Sequence, residues 1–202
     1  MGAPLPAGPA YRDALLLVDV QRDFLPGGAW PVPAAERILP ALAACLQRCL
    51  RQGWPVFLTR DWHPADHCSF TGAGGRWPVH CVAGTPGAAF AEGLQLPRLV
   101  QLASKGCARE IEPRSGFDHT DLLRRLRQLG VQRLYVGGLA TEAAVLYTTL
   151  DARRHGFAVR LLTDGLAARD SRPGDGARAL TRMCEAGAVL TSSGELLAAV
   201  AA

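Results

Sequence analysis

Lysine is almost absent from this 202-residue chain: of 22 basic residues, 21 are arginine and one is lysine, Lys105. A chain that meets its needs for solubility and ion pairing with arginine has little general use for a lone lysine. An ammonium of set position and tunable pKa is a different requirement, because the two cations are not interchangeable there. Long apolar runs are missing too. The longest, such as Ala14–Val18, are strand-sized and too short to cross a bilayer. The opening MGAPLPAGPAYRD lacks both the basic start and the apolar stretch of a signal peptide. Pro6 stands where a myristoylation motif on Gly2 needs Ser or Thr. Residues 1–13 are therefore expected to be a loose leader, the location cytoplasmic, and no membrane partner is expected. The six cysteines (Cys45, Cys49, Cys68, Cys81, Cys107 and Cys184) contain no CxxC pair, which argues against a zinc ribbon or a disulfide scaffold. Cys45 and Cys49, four apart on a predicted helix, read as buried thiols. A net charge of +4, with arginines scattered along helices, gives little support to nucleic-acid binding.

What is present is an ordinary globular composition, 49% hydrophobic and 20% charged, in a length that suits one domain across residues 1–202. Short apolar runs alternate with helical periodicity. Strands are predicted at 14–20, 55–59, 98–103, 133–136, 158–162 and 188–191. Helices are predicted at 34–52, 118–129, 141–155 and 175–186, with a short one at the C-terminus. This alternation implies a three-layer α/β/α fold, a mainly parallel six-stranded sheet with helices on both faces. Ligands of such sheets bind beyond the carboxyl ends of the strands. Asp19, Asp61, Lys105 and the 138–144 turn all fall there. The stretch 61–93, rich in Gly, Pro, His and Trp, is long for a loop unless it builds a site.

Asp19 directly follows LLLV, and a carboxylate at the end of a buried strand is costly unless it is paired. In TRDWHPADHCSF, Asp61 and His63 are two apart, so in extended chain both side chains point the same way and can reach one ion. His80 in WPVHC can supply a third ligand from the far side of the loop. A mixed carboxylate and imidazole set suits Zn, Fe or Mn, with coordination positions left for water or substrate. His67 is a further candidate ligand but is expected instead to fix the loop. VGGLATEAAV reads as strand, tight turn and helix start, where free N–H groups and the helix dipole favour an anion. A thiol at position 144 would be activated there. The residue is alanine, and the turn by itself suggests a carboxylate or phosphate cradle.

Taken in order, LLLVDVQRDF, TRDWHPADHCSF, RWPVHCVAGTPGA, SKG with a following SGF, and GGLATEAAV resemble the nicotinamidases, metal-containing members of the isochorismatase-like hydrolase superfamily. The resemblance runs from about Ala14 to Val189. It implies an isochorismatase-like, Rossmann-like fold with Asp19 and Lys105 as catalytic aspartate and lysine. It also implies Asp61, His63 and His80 as ligands of a divalent metal, zinc first and Fe or Mn next, and Phe24 and Trp77 as aromatics about the pyridine ring. Leu139–Ala140 matches a cis peptide, and the N–H groups of Ala140 and Ala144 match an oxyanion hole. Where the family turn reads ATDxCV, this chain reads ATEAAV, so Ala144 occupies the nucleophilic cysteine's place and Glu142 that of an aspartate.

The family reaction is hydrolysis of nicotinamide, with pyrazinamide as an analogue, to the acid and ammonia through a thioester. Alanine cannot form that thioester, and neither Cys81 nor Cys107 lies on the turn. The chain is expected to bind metal and substrate and to turn over little or nothing. Two origins fit: one altered position in an active enzyme, or a natural nicotinamide-binding protein without catalysis. Survival of Asp19, Lys105 and the metal set favours the first. Another amidase of the superfamily would leave Asp61, His63 and His80 unexplained. Whether the chain forms a homo-oligomer is left open.

Overall fold

The computed structural model describes residues 11–97 and 100–200. Six strands, β1 (Asp13–Val18), β2 (Val56–Asp61), β3 (Gln101–Lys105), β4 (Arg133–Leu139), β5 (Ala158–Ala167) and β6 (Val189–Thr191), form one sheet in the order β3-β2-β1-β4-β5-β6. Every pairing is parallel. The helices are α1 (Leu39–Arg51), α2 (Leu122–Gln128), α3 (Leu146–Arg154), α4 (Asp175–Glu185) and α5 (Ser193–Ala199). The fold is the three-layer α/β class expected from the alternation. Chain direction along the sheet reverses between β1 and β4, the switch point where a crevice opens above the strand ends.

β1 shows how the layers are built. Its side chains alternate across the sheet. Leu15 and Leu17 pack with Leu42, Cys45, Leu46 and Leu196 under α1 and α5. Ala14, Leu16 and Val18 pack with Leu122, Leu126, Leu146 and Met183 under α2, α3 and α4. A strand buried on both faces must be apolar throughout, which is why DALLLV carries no outward polar residue after Asp13. The Cys45 and Cys49 thiols are both pushed up to about 12, by burial before any nearby charge, and are inert core groups.

Several boundaries differ from the sequence reading. The proposed leader ends earlier, because Tyr11 N–H donates to Leu129 O at 2.8 Å and Asp13 opens β1 with its carboxylate on Arg133; residues 1–10 of that leader lie outside the described residues. β3 starts three residues and ends two residues later than expected, and Arg98 and Leu99 of the expected strand also lie outside the described residues. β5 continues to Ala167, with a register shift opposite Val136–Gly138. The loop from 61 to 93 holds short 3-10 turns at Thr71–Ala73 and Pro86–Ala88, and a third at Glu92–Leu94 closes it.

Close packing of β1 on β4 depends on Gly138. Its φ is +132°, and a Cβ there would lie 2.0 Å from Val18 O. Gly138→Ala is expected to cost about 3 kcal/mol, combining a φ that L-residues avoid with a backbone clash. Urea unfolding would read this as a lower midpoint at an unchanged slope.

Candidate active site

The carboxyl ends of four adjacent strands deliver the polar groups. Asp19 follows β1 with φ +51°, a left-handed turn that aspartate tolerates better than most residues. Thr59 Oγ1 donates to Asp19 Oδ1 at 2.6 Å, and Lys105 Nζ lies 2.8 Å from Asp19 Oδ2. Asp61 and Lys105 are register partners at the ends of β2 and β3, which places Lys105 Nζ 2.5 Å from Asp61 Oδ1. The lone lysine is thus 3% exposed between two buried carboxylates.

The electrostatics follow from that burial. Desolvation pushes Asp19 up to about 6, against the pull of the Lys105 charge. Burial also acts against ionisation of Asp61, but the Lys105 charge outweighs it and holds the carboxyl below its usual value. Burial alone would lower the Lys105 pKa, yet the two aspartates drive it up and keep the ammonium charged.

Asp61, His63 and His80 bring one ligand atom each to within 4.8 Å of one another, all buried. His63 is fixed by Nδ1 facing Gly106 O at 3.1 Å, and His80 by Nδ1 facing Pro78 O at 2.8 Å. Each ring thereby keeps Nε2 for an ion, the carbonyl-oriented imidazole typical of metal ligands. Burial pushes His63 down to about 4 and lowers His80 as well, so both rings are in the neutral form that ligates. Gly106 is required beneath His63: at φ +67° its Cβ would lie 2.3 Å from the imidazole. The donor set and its burial fit a divalent ion. His67 does not join it. Its Nδ1 pairs with Ser69 Oγ at 2.7 Å and its Nε2 with Ile111 O at 2.9 Å, a loop-fixing arrangement as expected.

These groups open on one pocket of about 540 Å³. Asp19, Asp61, His63, His80 and Lys105 line it together with Phe24, Trp77, Leu139, Ala140 and Ala144. Every catalytic, metal-ligating and ring-binding candidate from the sequence therefore reaches the same cavity. None of the six cysteines lines it.

One expectation is corrected. The Leu139–Ala140 bond is trans, and no peptide bond among the described residues is cis. A trans bond is the lower-energy form by about 2.5–4 kcal/mol for a non-proline residue. The turn is made instead by a kinked segment, Thr141–Val145, in which Ala143 is non-helical (φ −117°, ψ −109°) just before position 144.

Trp30 and Gln21 were not legible in the sequence, nor were the contacts that Glu142 makes. Trp30 lies between Phe24 and Trp77, with ring centroids 6.1 and 4.8 Å away, and 4.7 Å from His80. Gln21 clamps the backbone of Asp61, donating Nε2 to its carbonyl and accepting its N–H, both at 2.8 Å. Glu142 accepts the N–H groups of Arg169 and Asp170 at 2.9 and 3.1 Å, tying the helix start to the loop after β5. Two-residue alternation from Asp19 to Gln21 and from Thr59 to Asp61 was the available signal for Gln21 and Thr59.

The isochorismatase domain family matches residues 13–195 of the chain. The nicotinamidase of Escherichia coli (strain K12) is 34% identical over 198 residues, covering 88% of this chain and 93% of the relative. The structure of the Pyrococcus horikoshii pyrazinamidase in complex with zinc superposes with a TM-score of 0.86 at 43% identity, covering 90% of this chain and 99% of that one. The L. infantum protein PnC1 in complex with nicotinate gives 0.84 at 34% identity, covering 93% and 97%.

Proposed function

The chain belongs to the isochorismatase family, among its nicotinamidases, and on that premise we propose that it binds nicotinamide and a divalent metal on an amidohydrolase scaffold that Ala144 leaves without its nucleophile. The observation that carries this reading is the convergence of Asp19, Asp61, His63, His80, Lys105 and Ala144 on a single pocket. The assignment of the whole chain to one domain is part of the same proposal.

Asp61, His63 and His80 would hold the ion, zinc before iron or manganese; a neighbouring family structure contains zinc. When bound, the ion supplies an electrophilic anchor that orients the ring. Phe24, Trp30 and Trp77 offer aromatic faces to that ring. Lys105 holds Asp19 in place, and Asp19, poised at about 6, is the group able to take and return a proton beside the carboxamide. Backbone N–H groups at Ala140 and Ala144 are the candidate donors to the amide oxygen. The methyl group of Ala144 can do none of the covalent step. With every other part of the set in place, a single alteration at position 144 accounts for the chain better than gradual loss of function.

Metal analysis and nicotinamide titration of the full chain test this reading. One ion per chain and saturable nicotinamide binding are expected, with pyrazinamide as a second ligand. In Asp61→Ala both should weaken by more than the 10–100-fold typical of losing a group that merely supports a ligand. Folded, metal-loaded protein that ignores nicotinamide would sink the proposal. Among the described residues no helix is long and apolar enough to cross a membrane.

A further inference from the structure

A single ring with one carboxamide fills only part of a cavity of about 540 Å³, a size that elsewhere holds drug-sized ligands. Its mouth also carries charge that ring binding leaves without a task. Arg76 and Arg114 both line the pocket, and they arrive on different loops. The two loops are tied together, because Trp77 Nε1 donates to Glu112 Oε1 at 2.8 Å. The Arg76 guanidinium carbon lies 5.2 Å from the Trp77 ring centre and that of Arg114 lies 5.5 Å from Tyr147, so both are presented over aromatic faces.

Among the described residues, neither guanidinium has a carboxylate within ion-pair distance, whereas Arg133 and Arg178 each hold one. The third arginine at the mouth, Arg169, is committed elsewhere: it donates to Pro31 O and Trp30 O at 2.7 and 2.9 Å and lies over the Trp30 ring. The acids nearby are engaged as well. Glu112 accepts the Trp77 indole, Glu142 the backbone of Arg169 and Asp170, and Asp175 pairs with Arg178.

We propose that Arg76 and Arg114 form an anion subsite at the mouth, so that besides nicotinamide the pocket takes ring compounds bearing a carboxylate or phosphate in addition to the group that faces Ala144. The inference rests on the reading of the pocket as a ring site. The matched planar donors of arginine suit either oxyanion.

Inorganic phosphate is the probe, titrated into metal-free full-length protein and followed by phosphorus NMR, so that the metal site cannot supply the signal. Saturable binding is expected. Arg76→Gln with Arg114→Gln should weaken it by about tenfold, the scale of two charge contacts at a solvated rim. Glu112→Gln, which keeps an acceptor for Trp77 and removes a negative charge, should strengthen it by about twofold. Absence of saturable phosphate binding, or binding that the double variant leaves unchanged with its unfolding midpoint intact, overturns the subsite. Failure of metal-loaded wild-type protein to bind nicotinamide would instead bring down the ring-site reading, and the phosphate titration would still decide the subsite.

Discussion

Ala144→Cys is expected to raise ammonia release from nicotinamide by a factor on the order of 10⁶, the loss recorded when a covalent enzyme is stripped of its nucleophile. The thiol would sit where the Ala144 methyl now lines the pocket, just past the kink at Ala143 and ahead of α3. Asp19 would take the thiol proton as the sulfur–carbon bond forms, then pass it to the departing ammonia, and water would cleave the thioester to the acid. No other cysteine can stand in. Burial drives the Cys81 thiol far up, away from its reactive form, and Cys107 is exposed with its sulfur 3.7 Å from Ser104 O. Activity should also carry an acid limb. The proton acceptor must be ionised, and Asp19 loses that form as pH falls through about 6. Coupled ammonia detection before and after the substitution measures both effects. Restored protein that is folded and metal-loaded yet silent would place the chain among binding proteins of another design.

The second large effect concerns stability. Lys105→Met is expected to cost about 3–5 kcal/mol at neutral pH, because it strands two carboxylates together in a buried site. Asp19 and Asp61 are nearly inaccessible and share this one ammonium at 2.8 and 2.5 Å. The sign of the pH dependence follows. Without Lys105 the Asp61 carboxyl rises from below to above the unfolded value of 3.8, and Asp19, already at about 6, is pushed further up. Protonated carboxyls are tolerated in the variant, so its stability is retained below about pH 4 and lost as pH rises through the folded values. Urea unfolding of the two proteins at neutral and acid pH should therefore show a gap that narrows on acidification. A gap independent of pH would mean the cost is packing, not charge.

Much of this site was legible because its residues are constrained one by one. A carboxylate after LLLV, an aspartate and histidine two apart, and a lone lysine each stand out against their surroundings, and βα alternation sends all of them to one edge of the sheet. The rest depends on contacts between distant segments. Trp30 belongs to the cavity because its N–H donates to Asp23 O at 2.9 Å and turns the 27–30 loop back over Phe24, which periodicity cannot reveal. The trans bond at Leu139–Ala140 departs from the family resemblance, and no residue pattern in GGLATEAAV marks which isomer is adopted. The late start of β3 has a similar cause. Its bounds follow from pairing Phe57 with Gln101 and Asp61 with Lys105, a choice of partner and not a local propensity.

That pairing puts the one cation of the polar centre on the outermost strand. β3 has a neighbour on one side only, and its last residue is Lys105. Margins of sheets open before their middles, so fraying of five residues would unseat the ammonium and the Gly106 support of His63 while the β1–β4 heart of the domain stayed folded. Loss of bound metal on gentle heating should then precede the main melting transition, making the ion a reporter of this margin and not of the molecule as a whole.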